Sequence, residues 1–280
     1  MNHDFYLVDV FGVGKFSGNP LAVVNDAANL DSETMQEIAR WLNLSETAFL
    51  LPPSTDRADY RVRIFTLERE LPFAGHPTLG SCRAWLAAGG VAKDNGLIVQ
   101  ECGAGLVRIR AQPRLAFAAP PLLRSGPVDA TKRAEIAGVL NMAVSEILDA
   151  QWVDNGPGWI AVLLASAEDV LKLEPVHRYP TRVDVGVVGP YALGASVSFE
   201  LRAFFSDHRG ALVEDPVTGS LNASVAQWLI STGRAKAPYV AAQGTRVGRS
   251  GRIHIATDPQ GDVWIGGDTR ILFSGKAHLD

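Results

Sequence analysis

Cysteine is scarce in this 280-residue chain, which has two thiols, Cys82 and Cys102, twenty positions apart. Two isolated thiols exclude a disulfide framework and a Cys-x-x-Cys zinc or redox motif, so a reducing, cytoplasmic setting is expected. Excess basic charge is missing too: 26 Lys and Arg stand against 30 Asp and Glu, for a net charge of −4. Nucleic acid and anionic membrane are therefore not expected as partners, since both call for a concentrated basic face. The longest uncharged span, Gly186 to Phe199, carries a Gly-Pro break and falls short of the roughly 20 residues a membrane helix needs. Near the N-terminus, Phe5 to Phe11 is interrupted by Asp9 and has no basic flank, so it reads as a first strand and not as a leader or an anchor. With 47% apolar residues, the composition fits one large or two medium globular domains and a small-molecule ligand.

Several familiar catalytic signatures are absent as well. Gly12-Val13-Gly14-Lys15 has neither dinucleotide-fingerprint nor P-loop spacing. The six histidines, His3, His76, His177, His208, His254 and His278, form no His-Glu-x-x-His pattern and no close pair with cysteine, so no metal is expected. No Gly-x-Ser-x-Gly elbow marks a serine hydrolase.

What is present is a dense series of strand signals. Tyr60, Val62 and Ile64 alternate with Arg61 and Arg63, and Val197, Phe199, Leu201 and Ala203 alternate with Ser198, Glu200 and Arg202. Each pattern fits a strand with one buried face. Helices look few; the clearest has Asp31 as N-cap and Met35, Ile38, Ala39 and Leu42 on one face.

The most informative feature is a pair of similar motifs. His76-Pro77-Thr78-Leu79-Gly80-Ser81 and Asp215-Pro216-Val217-Thr218-Gly219-Ser220 share a polar residue, then Pro, then Gly-Ser at matching offsets. Both read as helix starts, with Pro in the first helical position and His76 or Asp215 as the cap. The same shift of 139 residues lays Phe65 on Phe204 and Leu21-Ala22-Val23-Val24 on Ile160-Ala161-Val162-Leu163. The expectation is therefore two similar halves facing each other across a cleft, with a seam in the proline-rich stretch Pro113 to Pro127.

Two helix N-termini around one cavity would make an anion site. Gly75, Gly80 and Gly219 would let backbone approach a ligand, and the sparse Lys and Arg nearby favour a carboxylate over a phosphate. His76 and Asp215 can hold or pass a proton, and Ser220 adds a hydroxyl. Glu46, in Leu44-Ser45-Glu46-Thr47-Ala48-Phe49, sits beside a very apolar strand, where a raised proton affinity would suit a general acid or base. Asn19 is near enough to the first motif's strand to touch substrate, although Gly18-Asn19-Pro20 reads more naturally as a turn. Cys82 reads as core packing on its helix.

Taken together, Val8-Asp9-Val10-Phe11, Gly18-Asn19-Pro20-Leu21-Ala22-Val23, Leu44-Ser45-Glu46-Thr47-Ala48-Phe49, Phe73-Ala74-Gly75-His76-Pro77-Thr78-Leu79-Gly80, Glu214-Asp215-Pro216-Val217-Thr218-Gly219-Ser220 and Gly266-Gly267 carry a resemblance. The sequence resembles the PhzF-like phenazine-biosynthesis isomerases, relatives of diaminopimelate epimerase, over essentially its whole length. The resemblance implies an α+β fold of two pseudo-symmetric domains, each a mostly antiparallel sheet wrapped around a central helix. It places residues 1–118 in the first domain, joined by the C-terminal strand 268–280, and residues 119–267 in the second. It also implies a cofactor-free site with Glu46, His76 and Asp215 as catalytic residues and Gly75, Gly219, Ser220 and Asn19 binding substrate, in a homodimeric enzyme. The family's best-known reaction isomerises trans-2,3-dihydro-3-hydroxyanthranilate by removing one proton from C3 and returning one elsewhere. Diaminopimelate epimerase instead carries a cysteine at each helix start, where this chain has His76 and Asp215.

Two functional classes follow from the residues. One is an enzyme that moves a proton on a small carboxylated metabolite, either as an isomerase or as a racemase or epimerase. The other is a binding relative that kept the fold and lost the chemistry; retention of Glu46, His76 and Asp215 together favours the enzyme.

Overall fold

The computed structural model describes residues 2–279 apart from Asn95 and His208, so the reading of His208 falls outside the described residues. The chain divides into two units, Met1–Ala118 with Trp264–Asp280, and Ala119–Val263. The fold is α+β.

The first unit begins with β1 (Asn2–Val10), β2 (Asn19–Val24), α1 (Ser32–Leu42), β3 (Thr47–Leu51), β4 (Tyr60–Phe65) and β5 (Glu70–Leu71). It continues with α2 (Gly75–Ala87), β6 (Leu97–Cys102), β7 (Gly105–Arg110) and β8 (Ala116–Ala118). The second contains β9 (Arg124–Pro127), α3 (Ala130–Leu140), β10 (Asp149–Asp154), β11 (Ile160–Leu163), α4 (Ala167–Lys172) and β12 (Asp184–Pro190). Then come β13 (Phe199–Ser206), β14 (Leu212–Asp215), α5 (Gly219–Ser231), β15 (Tyr239–Gln243) and β16 (Gly251–Thr257). β17 (Val263–Gly266) returns the chain to the first unit, where β18 (Thr269–His278) pairs antiparallel with β1.

Most pairings are antiparallel, and both units use the same succession. β1–β2, β3–β4, β4–β5 and β6–β7 are antiparallel, with β2–β3 and β4–β6 parallel. The second unit repeats this as antiparallel β10–β11, β12–β13, β13–β14 and β15–β16, with parallel β11–β12 and β13–β15. Each sheet encloses one helix. In α2 every residue from Gly75 to Cys82 is buried, and in α5 every residue from Gly219 to Ala226. A helix buried on all sides has no polar stripe, which is why neither shows the amphipathic period of α1. Close packing uses glycine on opposite partners. A Cβ at Gly80 of α2 would meet Leu21 Cδ2 at 2.5 Å, and one at Gly186 of β12 would meet Leu221 Cδ1 of α5 at 2.4 Å. Gly80 therefore serves the helix–sheet contact, which corrects its reading as an approach point for ligand.

The Asp31 cap of α1 is present, its Oδ1 accepting from the Thr34 amide at 2.8 Å. α3 and α4 were not legible: Gly138 interrupts the first, and the second is only six residues long. Their caps, Asp129 and Ser166, do bind the backbone N–H groups of Lys132 and Asp169.

The repeat register needs one correction. The shift of 139 holds from β2 to β4, where Phe65 and Phe204 correspond, but Phe65 pairs with Glu70 whereas Phe204 pairs with Glu214. The second hairpin is thus five residues longer, and from there the shift is 144, so α2 starts at Gly75 and α5 at Gly219. His76 is then the second residue of its helix and corresponds to Ser220, while Asp215 closes β14 and corresponds to Leu71. Neither His76 nor Asp215 is a cap; those positions are Ala74 and Thr218. Pro77 lies inside the first turn, where its missing N–H goes unneeded, and Pro216 lies outside the helix altogether.

Candidate active site

In the first unit the chain brings three of the expected residues together. Glu46 immediately precedes β3, after α1 has ended in a left-handed turn at Asn43. His76 is held at the buried start of α2, and Asn19 opens β2 in a fully buried position, which replaces the turn reading of that residue. Glu46 Oε2 lies 3.5 Å from His76 Nε2, with the His76 side chain 3% exposed and the Glu46 side chain 16% exposed. Asn19 Nδ2 lies 3.3 Å from His76 Nδ1.

Burial drives the His76 imidazole down to about 3, because the charged ring would lose its hydration inside the helix start. The ring is therefore neutral at physiological pH, and the Glu46 contact is not an ion pair. A neutral ring has one N–H. With Asn19 Nδ2 facing Nδ1, that proton falls on Nε2, the ring nitrogen nearer Glu46, in a contact that at 3.5 Å is too loose to be a hydrogen bond. The partly exposed Glu46 carboxyl group thus lies beside a buried, neutral ring. Cys82, six residues further along α2, is buried and its thiol is pushed up to about 12, so it packs as expected and is chemically quiet.

In the second unit Asp215 closes β14, and its Oδ2 accepts from the Thr218 hydroxyl at 2.5 Å. Ser220 Oγ accepts from Trp159 Nε1 at 3.1 Å, and the Ser220 carbonyl from Asn155 Nδ2 at 2.9 Å. Gln243, on β15, accepts from the Thr218 amide and from Asn222 Nδ2. Thr218, Asn155, Asn222, Gln243 and Trp159 escaped the sequence reading. Gln243 had a signal, as an amide ending the apolar strand Tyr239-Val240-Ala241-Ala242, but Trp159 stands in the sequence only as the aromatic before the apolar run Ile160-Ala161-Val162-Leu163. Gly75 and Gly219 each open a central helix, where the first-turn N–H groups have no carbonyl one turn back and face outward as donors. Among the described residues no group of three or more His, Cys, Asp or Glu side chains could hold a metal ion. No helix among them is long and apolar enough to cross a membrane.

The phenazine biosynthesis-like protein family matches residues 8–279. The chain belongs to this family. It is 30% identical over 289 aligned positions to a trans-2,3-dihydro-3-hydroxyanthranilate isomerase of Pseudomonas aeruginosa, covering 99% of this chain and 100% of the relative. It is 35% identical to antisense-enhancing sequence 1 of Schizosaccharomyces pombe, covering 99% of each. Among solved structures, a predicted epimerase of Pseudomonas aeruginosa superimposes with a TM-score of 0.79 at 27% identity, covering 99% of this chain and 100% of the other. Family membership with a named isomerase matched along the full length supports an isomerase at the level of the family.

Proposed function

We propose that the protein is a cofactor-independent isomerase that moves a proton on a small carboxylated metabolite related to dihydrohydroxyanthranilate. The observation that carries this reading is Glu46 Oε2 set 3.5 Å from Nε2 of a buried, neutral His76. Glu46 as carboxylate accepts a proton from substrate carbon, and the electron pair left behind is spread over the conjugated system and its carboxylate. The protonated Glu46 then gives a proton back at another carbon, so charge and hydrogens balance. His76 Nε2–H steadies the carboxylate without competing for the proton. Asp215 supplies a second acid or base, and Asn19, Gly75, Gly219 and Ser220 bind substrate. In the family's manner the enzyme is a cytoplasmic homodimer, which light scattering of the purified protein checks.

The test is incubation in D2O with dihydrohydroxyanthranilate and a panel of amino acids. Deuterium at a carbon that lies away from the lost proton, with a shifted double bond, supports isomerisation. A second reading, racemase or epimerase, draws on the likeness to the predicted epimerase; label on the original, inverted carbon selects it. Absence of label from every compound, in protein that is folded, sinks both.

A further inference from the structure

We propose that Gln243 and Thr218 are positioning residues for Asp215, the Gln243 amide fixing the direction of the Thr218 hydroxyl so that it donates to the Asp215 carboxylate. The proposal rests on the reading of Asp215 as a group that acts on substrate.

The argument starts from backbone groups, whose hydrogen-bonding sense is not negotiable. Gln243 is fully buried at the end of β15. Its Oε1 faces the Thr218 amide at 3.0 Å, and its Nε2 faces the Asp215 carbonyl at 3.2 Å. An N–H needs an oxygen and a carbonyl needs an N–H, so the side-chain amide has one permitted orientation. Its second Nε2–H points at Thr218 Oγ1, 3.0 Å away, and its second Oε1 lone pair receives Asn222 Nδ2 at 2.8 Å. Both donors and both acceptor sites of Gln243 are therefore committed.

Thr218 Oγ1 has to accept from Gln243, so its own proton turns to Asp215 Oδ2, 2.5 Å away. A hydroxyl-to-carboxylate bond of that length is in the charge-assisted range. Oδ2 is held as an acceptor, and the carboxyl is fixed in one orientation. The first unit shows the same amide-to-hydroxyl step with a different end point. Gln100 Nε2 donates to Thr78 Oγ1 at 3.0 Å, and Thr78 donates to the Ala74 carbonyl at 2.9 Å. There the chain of donors braces the helix start; in the second unit it ends on the carboxylate.

Two measurements on the full chain test the assignment, one of them independent of turnover. The Thr218 hydroxyl proton, followed by NMR in protein labelled at threonine, should appear downfield and exchange slowly, and should lose both properties in Asp215→Asn and in Gln243→Leu. A resonance unchanged in folded Gln243→Leu would overturn the proposal, and so would one unchanged in Asp215→Asn, which tests the hydroxyl-to-carboxylate bond by itself. On dihydrohydroxyanthranilate, Thr218→Val should lower kcat about tenfold with KM little changed, and Thr218→Ser, which keeps the hydroxyl, should restore most of it. Parent-like kcat in folded Thr218→Val would also overturn it. If the parent fails to turn over that compound, the substrate reading fails while the hydroxyl resonance still decides the present one.

Discussion

The same bidentate ion pair occurs once in each unit, and its two settings differ. Arg63 Nε and Nη2 bind Glu70 Oε1 and Oε2 at 2.8 and 2.5 Å, and Arg202 Nε and Nη2 bind Glu214 Oε1 and Oε2 at 3.0 and 2.8 Å. Each guanidinium also lies over the equivalent phenylalanine, Phe65 or Phe204, about 5 Å from the ring centroid. The first pair is 20% and 42% exposed; the second is 4% and 11% exposed, with Arg202 Nη1 further bonded to the Val170 and Leu173 carbonyls beneath α4. One repeat element has thus become a surface clasp in one unit and a buried strut beside Asp215 in the other. Repetition kept the geometry, and burial changed what the geometry is worth.

Breaking the buried pair should give the largest effect. Glu214→Ala leaves the Arg202 guanidinium without its carboxylate partner in a nearly water-free place, and is expected to cost about 3–5 kcal/mol of stability. Glu70→Ala is expected to cost about 1 kcal/mol or less. Urea unfolding of the two variants side by side checks this; equal losses would show that the two hairpins are equivalent in energy as well as in form.

The helix starts differ in chemistry, and Glu46→Gln tests the side that holds the residue proposed to move the proton. The amide cannot accept a proton, so kcat should fall about 10²-fold or more, while the melting temperature hardly moves because Glu46 lies outside the helix and strand it joins. A lowered melting temperature with turnover lost only in proportion to folded protein would make Glu46 structural. The corresponding change on the other side, Asp215→Asn, should have a smaller effect on kcat if Asp215 is the secondary group.

His76 and Ser220 occupy corresponding positions, and only the first titrates. Folded His76 stays neutral down to about 3, whereas in the unfolded chain it takes up a proton near its ordinary value of 6.5. Between those values the unfolded state binds the extra proton, so this residue makes stability fall as pH falls, by up to about 1.4 kcal/mol per pH unit. Above about 6.5 neither state is protonated there and the contribution is flat. His76→Gln should flatten the acid limb of a stability-against-pH curve; an unchanged limb would mean that His76 is protonated in the folded chain.

These comparisons also mark how far the sequence could be read. The alternating strand ending in Phe65 was legible because period-two burial leaves a direct trace, whereas β13, expected to alternate in the same way, is buried on both faces with Glu200 and Arg202 inside; the Pro and Gly-Ser matches located both helix starts to within a few residues. The register was off by five because a longer hairpin between β13 and β14 leaves no periodic signal. That error paired His76 with Asp215, when the repeat pairs it with Ser220. Glu46, His76 and Asn19 were named from the sequence, but their contact was not, since residues 19, 46 and 76 meet only through the parallel step from β2 to β3 and the seating of α2. Gln243 and Thr218 stayed hidden for a related reason: a buried amide gains meaning from the backbone groups around it, and those are fixed by the sheet.

A smaller effect than loss of the buried ion pair concerns the donors that reach the two helix starts. Asn19, opening β2, donates to His76, and Trp159, just before β11, donates to Ser220. In both units, then, the second residue of the central helix receives an N–H from the start of the same strand, although the residue types share nothing. Ser220→Ala removes one acceptor and leaves the buried Trp159 indole N–H without it, at an expected cost of about 1–2 kcal/mol. The change in volume is a single oxygen, so the cavity contribution is minor and the loss reports the hydrogen bond. A substrate-binding Ser220 predicts something further, a KM for dihydrohydroxyanthranilate raised several-fold with kcat less affected. A stability loss of that size with KM unmoved would confine Ser220 to bracing Trp159. The repeat would then have kept the donor in both units while leaving the helix-start side chain chemically active only at His76.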